Sequence, residues 1–245
     1  MTDTVVTIDQ QFNGPNVSAN GGYTCGVLSE FLPAGQAHTC RLSAPPPLDT
    51  PMQITVVEGH VTMKDGDQVI GTVMSDTLEI APPPPPSDVS VFEAAQTPIM
   101  TSFDFLRRCY VCGPDRHEGG LHIHPAKLAG RDGEVACFWQ TKDAHAGADG
   151  FVTARQLWSA LDCPGYFACA AGKPALLGQM TGKIIGQVRA GEAVKVHAWT
   201  KSVMGRKCRA GVALYAPDDQ LIAAADQLWV VVKDSMFDSL RGATV

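Results

Sequence analysis

An aspartate, Asp162, lies inside an otherwise apolar segment with helical spacing, LWSALDCPGYFA. Burying a carboxylate costs free energy unless it is hydrogen-bonded, and burial raises its pKa toward the range of a useful general base. The alternative is a partly exposed aspartate that caps the turn at Pro164 and Gly165. We favour the first interpretation and predict that Asp162 is a catalytic base.

Two further polar residues occur in strand-like sequences. Gln227 lies in the core-like run LIAAADQLWVVV, where either Asp226 or Gln227 must point inward because successive strand residues face opposite sides. A glutamine amide can both donate to and accept from a positioned water without titrating. Thr200, in AWTKS, is by itself an ordinary strand residue.

Two glycines, Gly21 and Gly22, follow Asn20 at the start of an apolar run, NVSANGGYTCGVLSEFL. Glycine weakens a helix start, but the first N–H groups of a helix have no partner within it and lie at its positive end. A bare backbone there lets a ligand oxygen approach, so these residues are candidates for oxyanion or substrate binding. The simpler interpretation is that Asn20 is the N-cap and the glycines fill a tight turn.

A C-x-x-C pair, Cys109 and Cys112, precedes three histidines in RRCYVCGPDRHEGGLHIHP. Structural zinc usually needs two such pairs, and only one is present. His122 and His124 alternate as strand neighbours do and would complete four ligands, but we expect a structural turn, no metal and no cofactor. The eight cysteines, without a signal sequence, are expected to be free thiols of a reducing compartment.

The composition excludes several classes of function. A net charge of -6 provides no basic field for nucleic acid or for an anionic membrane surface. Neither a phosphate-binding nor a dinucleotide-binding glycine motif occurs. The segment MTDTVVTIDQQF has no basic stretch followed by an apolar core, so we expect no signal sequence, and no apolar run approaches the roughly 20 residues that span a bilayer. We therefore expect a soluble, cytoplasmic protein that acts on a small molecule.

The chain is organised as two halves with the same order of elements. Five consecutive prolines within residues 81–98 predict an extended linker. Residues 1–98, which include this linker, and residues 99–245 each predict a strand, a helix and a meander of antiparallel strands. In the second half the predicted strands are EVACFWQT, GKIIGQVRA, AVKVHAWTKSV, KCRAGVALYAP and QLIAAADQLWVVV. This order describes an α+β fold in which a sheet wraps around a central helix, and joining two such units covers an unpaired sheet edge.

In NGGYTCG, SALDCPG, AWTKS and AADQLWVVV the chain resembles the double-hotdog acyl-CoA thioesterases of the thioesterase II type. The resemblance covers nearly the whole chain and implies an α+β double hotdog, with two antiparallel sheets that each wrap around a central helix. It implies that Asp162, Thr200 and Gln227 hold a hydrolytic water, and that the enzyme cleaves a fatty or related acyl-CoA to free acid and CoA without a cofactor. The segment CYVCGPDRHEGGLHI also resembles single-hotdog thioesterases.

The second half departs from the single-hotdog pattern at the start of its helix. Those relatives carry HGG there, whereas residues 153–155 are TAR, and in the first half Ser29 occupies the acid position. In paired hotdogs each site combines the helix start of one unit with the acid of the other. We therefore expect one complete site, in which residues 20–22 face Asp162 and an N–H near Gly22 receives the thioester oxygen. The other site should be inactive.

Cations at the rim of the site would bind the phosphates of CoA. The candidates for this role include Arg155, Lys201 and Arg206. Two other functions stay open: a non-catalytic hotdog protein that binds acyl-CoA, and a zinc-stabilised interaction module built on Cys109 and Cys112. A homo-oligomer, such as a dimer of double hotdogs, is compatible with the sequence, and neither a nucleic-acid nor a membrane partner is expected.

Overall fold

Strands dominate the structure, a computed structural model that describes residues 4–86, 101 and 103–241. The α-helices in these residues are α1 (Gly21–Ser29), α2 (Ala154–Cys169) and α3 (Asp234–Asp238). The strands are β1 (Thr4–Val6), β2 (Ala37–Leu42), β3 (Met52–Val57), β4 (His60–Asp65), β5 (Gln68–Asp76), β6 (Ala126–Lys127), β7 (Glu134–Gln140), β8 (Ala175–Ile184), β9 (Ala193–Met204), β10 (Lys207–Tyr215) and β11 (Leu221–Val231). Within the same residues, no helix is long and apolar enough to cross a membrane.

These strands form a single antiparallel sheet in the order β1-β3-β4-β5-β2-β8-β11-β10-β9-β7-β6. Five strands come from the first half of the chain and six from the second, and the halves meet where β2 pairs with β8. In that register Thr39 lies opposite Thr181, and their hydroxyl oxygens are 2.6 Å apart. Each half thus covers an edge that the other would leave unpaired.

The two long helices pack against each other and against the sheet. Helix α1 contacts β2, β4 and β5 of the first half, while α2 contacts β7, β9, β10 and β11 of the second. The helices are antiparallel, because the start of α1 lies beside Asp162 and its end lies beside Arg155. One hydrophobic core includes both helices, with Leu28 of α1 and Leu161 of α2 fully buried.

Two glycines of α1 permit the close approach of the helices. A Cβ on Gly22 would lie 2.5 Å from the carbonyl oxygen of Trp158 and 2.6 Å from the Cβ of Asp162. A Cβ on Gly26 would lie 3.0 Å from the Cα of Arg155. Only a hydrogen atom fits at the first of these positions without a shift of the backbone. Gly22 therefore has a packing role that the sequence interpretation did not include.

The predicted order of a strand, a helix and a meander in each half is confirmed, but one strand is displaced. The sequence GKIIGQVRA was predicted as a strand, whereas β8 begins at Ala175 and ends at Ile184. The ladder stops there because the N–H groups of Ile185 and Gly186 both donate to the carbonyl of Ile222.

The segment with His122 and His124 is not a strand, contrary to the expectation from its alternation. His122 has a φ of 55°, a left-handed conformation that interrupts the strand period. Residues 81–86 contain neither helix nor strand, and residues 87–98 of the predicted linker lie outside the described residues. The division of the chain at residues 98 and 99 stays a prediction.

We expect Gly22→Ala to lower the melting temperature, because the added methyl group would overlap α2. Overpacking of this kind costs about 1–3 kcal/mol, and each kcal/mol corresponds to about 2–4 °C in a chain of this size. Thermal denaturation followed by circular dichroism measures the change. Gly186→Ala is the control, since its Cβ would be in ordinary contact at 3.6 Å from the Ile222 Cα. Equal melting temperatures for the two variants would contradict the close crossing.

Candidate active site

The carboxylate of Asp162 is fixed at the start of α1. Its Oδ2 accepts hydrogen bonds from the Asn20 side-chain amide at 2.8 Å and from the Gly22 N–H at 3.0 Å. Helix α2 supplies the acid and α1 supplies both donors, so the site is shared between the two halves. The structure therefore brings together Asp162, Asn20 and Gly22, as the sequence analysis expected.

The second oxygen of this carboxylate, Oδ1, is buried and has no hydrogen-bond partner among the described residues. Burial raises the pKa of Asp162 to about 7, the Gly22 N–H and the Asn20 amide lower it, and negative charge on Cys109 would raise it. A buried carboxylate oxygen without a partner is costly, and such groups are retained mainly where they have a use.

A pocket of about 510 Å³ opens beside Asp162, Asn20 and Gly21. Its walls are mainly apolar and include Phe167, Leu177, Trp229, Phe237 and Leu240. No lysine or arginine lies among the described residues that line it. The size and character of the pocket are those of a small-molecule site that receives an apolar group.

The first N–H groups of α1 are mostly occupied within the protein. Asn20 is the N-cap and accepts from the Tyr23 N–H at 2.9 Å through its side chain, while its carbonyl accepts from the Thr24 N–H. The Gly22 N–H, predicted to receive a substrate oxygen, instead donates to Asp162. The Gly21 N–H is the one in this turn that donates to none of the described residues, and Gly21 lines the pocket.

Gln227 points inward, but it contacts the backbone of α2 and does not line the pocket. Its Nε2 donates to the carbonyls of Leu161, at 2.5 Å, and of Asp162, at 3.1 Å. Pro164 lacks an N–H and therefore disturbs the backbone hydrogen bonds of this turn of α2. The Gln227 side-chain amide supplies hydrogen-bond donors at the same turn. Gly165 makes room, because a Cβ there would lie 1.7 Å from the Gln227 Oε1.

Thr200 contacts the backbone of α2 near the carboxyl end of the helix. Its hydroxyl donates to the carbonyl of Ala168 at 2.8 Å, one residue before the end of α2. Thr200 does not line the pocket that Asp162 faces. The structure thus groups Thr200 and Gln227 as supports of α2 and leaves Asp162 as the acid on the pocket wall.

The second helix crossing, where residues 153–155 and Ser29 were expected to form an inactive site, contains an ion pair. The guanidinium of Arg155 contacts both carboxylate oxygens of Glu30, at 2.5 and 2.6 Å. The Ser29 hydroxyl lies 3.7 Å from the thiol of Cys40. The position that the sequence analysis assigned to an acid here is Ser29, and the neighbouring carboxylate of Glu30 is engaged by Arg155.

The three residues predicted to bind CoA phosphates are each paired within the protein. Besides Arg155, Lys201 forms an ion pair with Asp226, and the Arg206 side chain donates to the carbonyl of Val231 at 2.7 Å. None of the three lines the pocket. Their role toward CoA stays a prediction.

The pocket wall also carries three cysteines, of which sequence reasoning missed one. Cys109 and Cys112 belong to the C-x-x-C pair, while Cys163 follows Asp162 in α2. The Sγ atoms of Cys109 and Cys163 are 3.8 Å apart. Cys163 is 54 residues from Cys109 along the chain, so no short sequence motif indicated that the two thiols are in contact.

Comparison with known proteins identifies the fold. The chain is similar to a tesB protein of Mycobacterium avium subsp. paratuberculosis, with a TM-score of 0.63 and 12% identity over 94% of this chain and 93% of the other. It is similar to a hot dog fold protein of unknown function from Alicyclobacillus acidocaldarius, with a TM-score of 0.62 and 11% identity over 94% and 93% of the two chains. The chain is also similar to a protein from Thermobifida fusca that is proposed to be a thioesterase II. The TM-score is 0.61, and the identity is 15% over 95% of this chain and 93% of the other.

These similarities confirm the predicted α+β double-hotdog fold, since each covers nearly the whole of both chains. At such low identities they establish the fold alone. No protein-family model matches the sequence, and no curated protein matches it.

We expect Gln227→Leu to destabilise the protein, because the carbonyls at the Pro164 turn would lose their buried donor. Unsatisfied buried groups cost about 1–3 kcal/mol each. Urea denaturation measures the free energy of unfolding. Gln53→Leu on an exposed position of β3 is the control. A Gln227→Leu protein as stable as the control would show that the amide does not support α2.

Proposed function

We propose that this protein is an acyl-CoA thioesterase of the double-hotdog, thioesterase II type, with Asp162 as the general base. One observation carries the proposal: a buried carboxylate has one oxygen fixed by Asn20 and Gly22 and the other without a partner, on the wall of an apolar pocket. The fixed oxygen sets the orientation of the carboxyl group, and the other remains available to a water molecule. The structural similarity to proteins named tesB or thioesterase II supports the same reaction.

The reaction begins when water attacks the carbonyl carbon of the thioester and passes a proton to Asp162. The negative charge that develops on the carbonyl oxygen needs a donor, and the Gly21 N–H is the candidate, because the Gly22 N–H is used by Asp162. The positive end of α1 adds to this stabilisation. When the carbon–sulfur bond breaks, the proton on Asp162 moves to the CoA sulfur, and the products are a free acid and a thiol.

The pocket suits the acyl part of the substrate. Its apolar walls favour a hydrocarbon group by burying it from water, at roughly 0.8 kcal/mol per CH₂. Since the part of the lining that the structure describes has no lysine or arginine, the phosphates of CoA would bind outside the pocket. The substrate class is therefore a CoA thioester of a fatty or related apolar acid.

Thr200 and Gln227 act in this proposal as positioning residues. The Gln227 amide holds the backbone of Asp162 itself, and the Thr200 hydroxyl holds α2 at Ala168. Both contacts fix the position of the Asp162 carboxylate relative to the pocket. This positioning role differs from the one that the family resemblance implies, in which both residues contact the hydrolytic water directly.

We expect Asp162→Asn to lower kcat by about a hundredfold or more, because the amide cannot accept the proton of the attacking water. The substitution keeps the shape of the side chain and its acceptor for the Gly22 N–H. Release of free thiol from acyl-CoAs of increasing chain length measures the activity. Ser29→Ala at the second crossing is the matched control and should retain activity.

Two results would contradict the assignment. Equal losses in Asp162→Asn and Ser29→Ala would show that the site is not at the first crossing. Binding of acyl-CoA by the wild-type protein, without thiol release across the whole panel, would favour a non-catalytic acyl-CoA-binding protein instead.

A further inference from the structure

The three cysteines at the pocket form a compact group of sulfur atoms. The Sγ atoms of Cys109, Cys112 and Cys163 all lie within 4.8 Å of one another, and all three residues are buried. Among the described residues this is the one set of three or more cysteine, histidine or carboxylate side chains with such a spacing. The other buried cysteines form no such group, and the Cys40 thiol donates to the backbone carbonyl of Cys25 at 3.6 Å.

The spacing of these atoms fits a tetrahedral metal ion with thiolate ligands. Zinc binds sulfur at about 2.3 Å, which places neighbouring ligands of a tetrahedron about 3.8 Å apart. The Sγ atoms of Cys109 and Cys163 are 3.8 Å apart. A disulfide would need these atoms at about 2.05 Å.

The backbone around the C-x-x-C pair is a tight, well-fixed turn. The Gly113 N–H donates to the Cys109 carbonyl at 2.9 Å, and a Cβ on Gly113 would lie 2.5 Å from the Cys109 backbone nitrogen. The residues between the cysteines are held from both sides, because the Tyr110 N–H donates to Asn13 and the Tyr110 carbonyl accepts from Leu121. Both sulfur atoms are thus presented on a rigid frame, as a metal site requires.

Metal binding at this group would require the three thiols to lose their protons. Thiolate is the form that binds metal. A metal ion would take the place of the protons that the three sulfur atoms share.

From this geometry we propose that Cys109, Cys112 and Cys163 bind a zinc ion. Three thiolates are the soft donors that select zinc over magnesium or calcium. All three residues line the pocket, so a fourth ligand would reach the ion from there. The third ligand is Cys163 and not His122 or His124, which lie outside the group. The ion would join the turn at residues 109–113 to α2 beside Asp162.

Elemental analysis of the untagged full chain, purified under reducing conditions, tests the proposal. We expect about one zinc per chain in the wild-type protein and in Cys169→Ser, and a large loss in Cys163→Ser. Cys169 is the matched control, since it is a buried cysteine of the same helix outside the group. Zinc at equal content in both variants, or copper alone in the wild type, would overturn the proposal.

Cobalt substitution provides a second measurement that does not depend on how the protein was expressed. Co²⁺ added to the zinc-free protein should give the sulfur-to-cobalt charge-transfer and visible bands of a tetrahedral thiolate site, and Cys163→Ser should lose them while its circular dichroism is retained. The absence of these bands in the wild type would overturn the zinc site. An intact mass two hydrogens below that of the reduced chain would also overturn it, because it would show a disulfide instead. Neither measurement uses an acyl-CoA, so failure of the thioesterase proposal would be recognised separately.

Discussion

The hydrogen bond from the Gly22 N–H to Asp162 is the contact on which the site depends. It can form only because α1 has no side chain at Gly22, where a Cβ would overlap both the Trp158 carbonyl and Asp162 itself. The same absence of a side chain lets the helices approach closely enough for the Asn20 amide to reach the carboxylate. The geometry of the acid is therefore a consequence of helix packing, and both are set by one glycine.

This crossing is in turn held by the sheet. The pairing of β2 with β8 makes one continuous sheet from the two halves, so the helices that lie on it cannot separate without breaking the ladder. On the side of α2, Gln227 and Thr200 attach the helix to β11 and β9 around Pro164. A helix interrupted by proline would otherwise be free to bend at the position of Asp162.

Local patterns in the sequence predicted much of this, and long-range contacts account for what they did not predict. The N-cap at Asn20, the acid in α2 and the order of the strands follow from spacing and residue type, and the structure has all of them. Strand alternation predicted that either Asp226 or Gln227 points inward, but it did not predict which one. The partners of Gln227 were not predictable either, since they belong to a helix more than sixty residues away. For Thr200, a bulge in β9 changes the alternation: Ser202 lies opposite Arg209, but Thr200 lies opposite Ala210. A strand pattern contains no signal for such a shift.

The two helix crossings of the double hotdog carry different polar groups: a buried carboxylate at the first and a half-exposed ion pair at the second. At the second crossing Arg155 lies at the start of α2 and Glu30 follows the end of α1. The helix dipole disfavours a cation at the amino end of a helix and an anion at its carboxyl end, so both charges are in unfavourable positions. Their mutual ion pair offsets that cost. Because both side chains are about two-fifths exposed (40% and 43%), the pair adds only about 0–1 kcal/mol to stability. The ion pair at the second crossing thus has little effect on folding, whereas at the first crossing a carboxylate is kept buried at a real cost. That difference in cost, more than any likeness of sequence, is the physical reason to look for chemistry at Asp162.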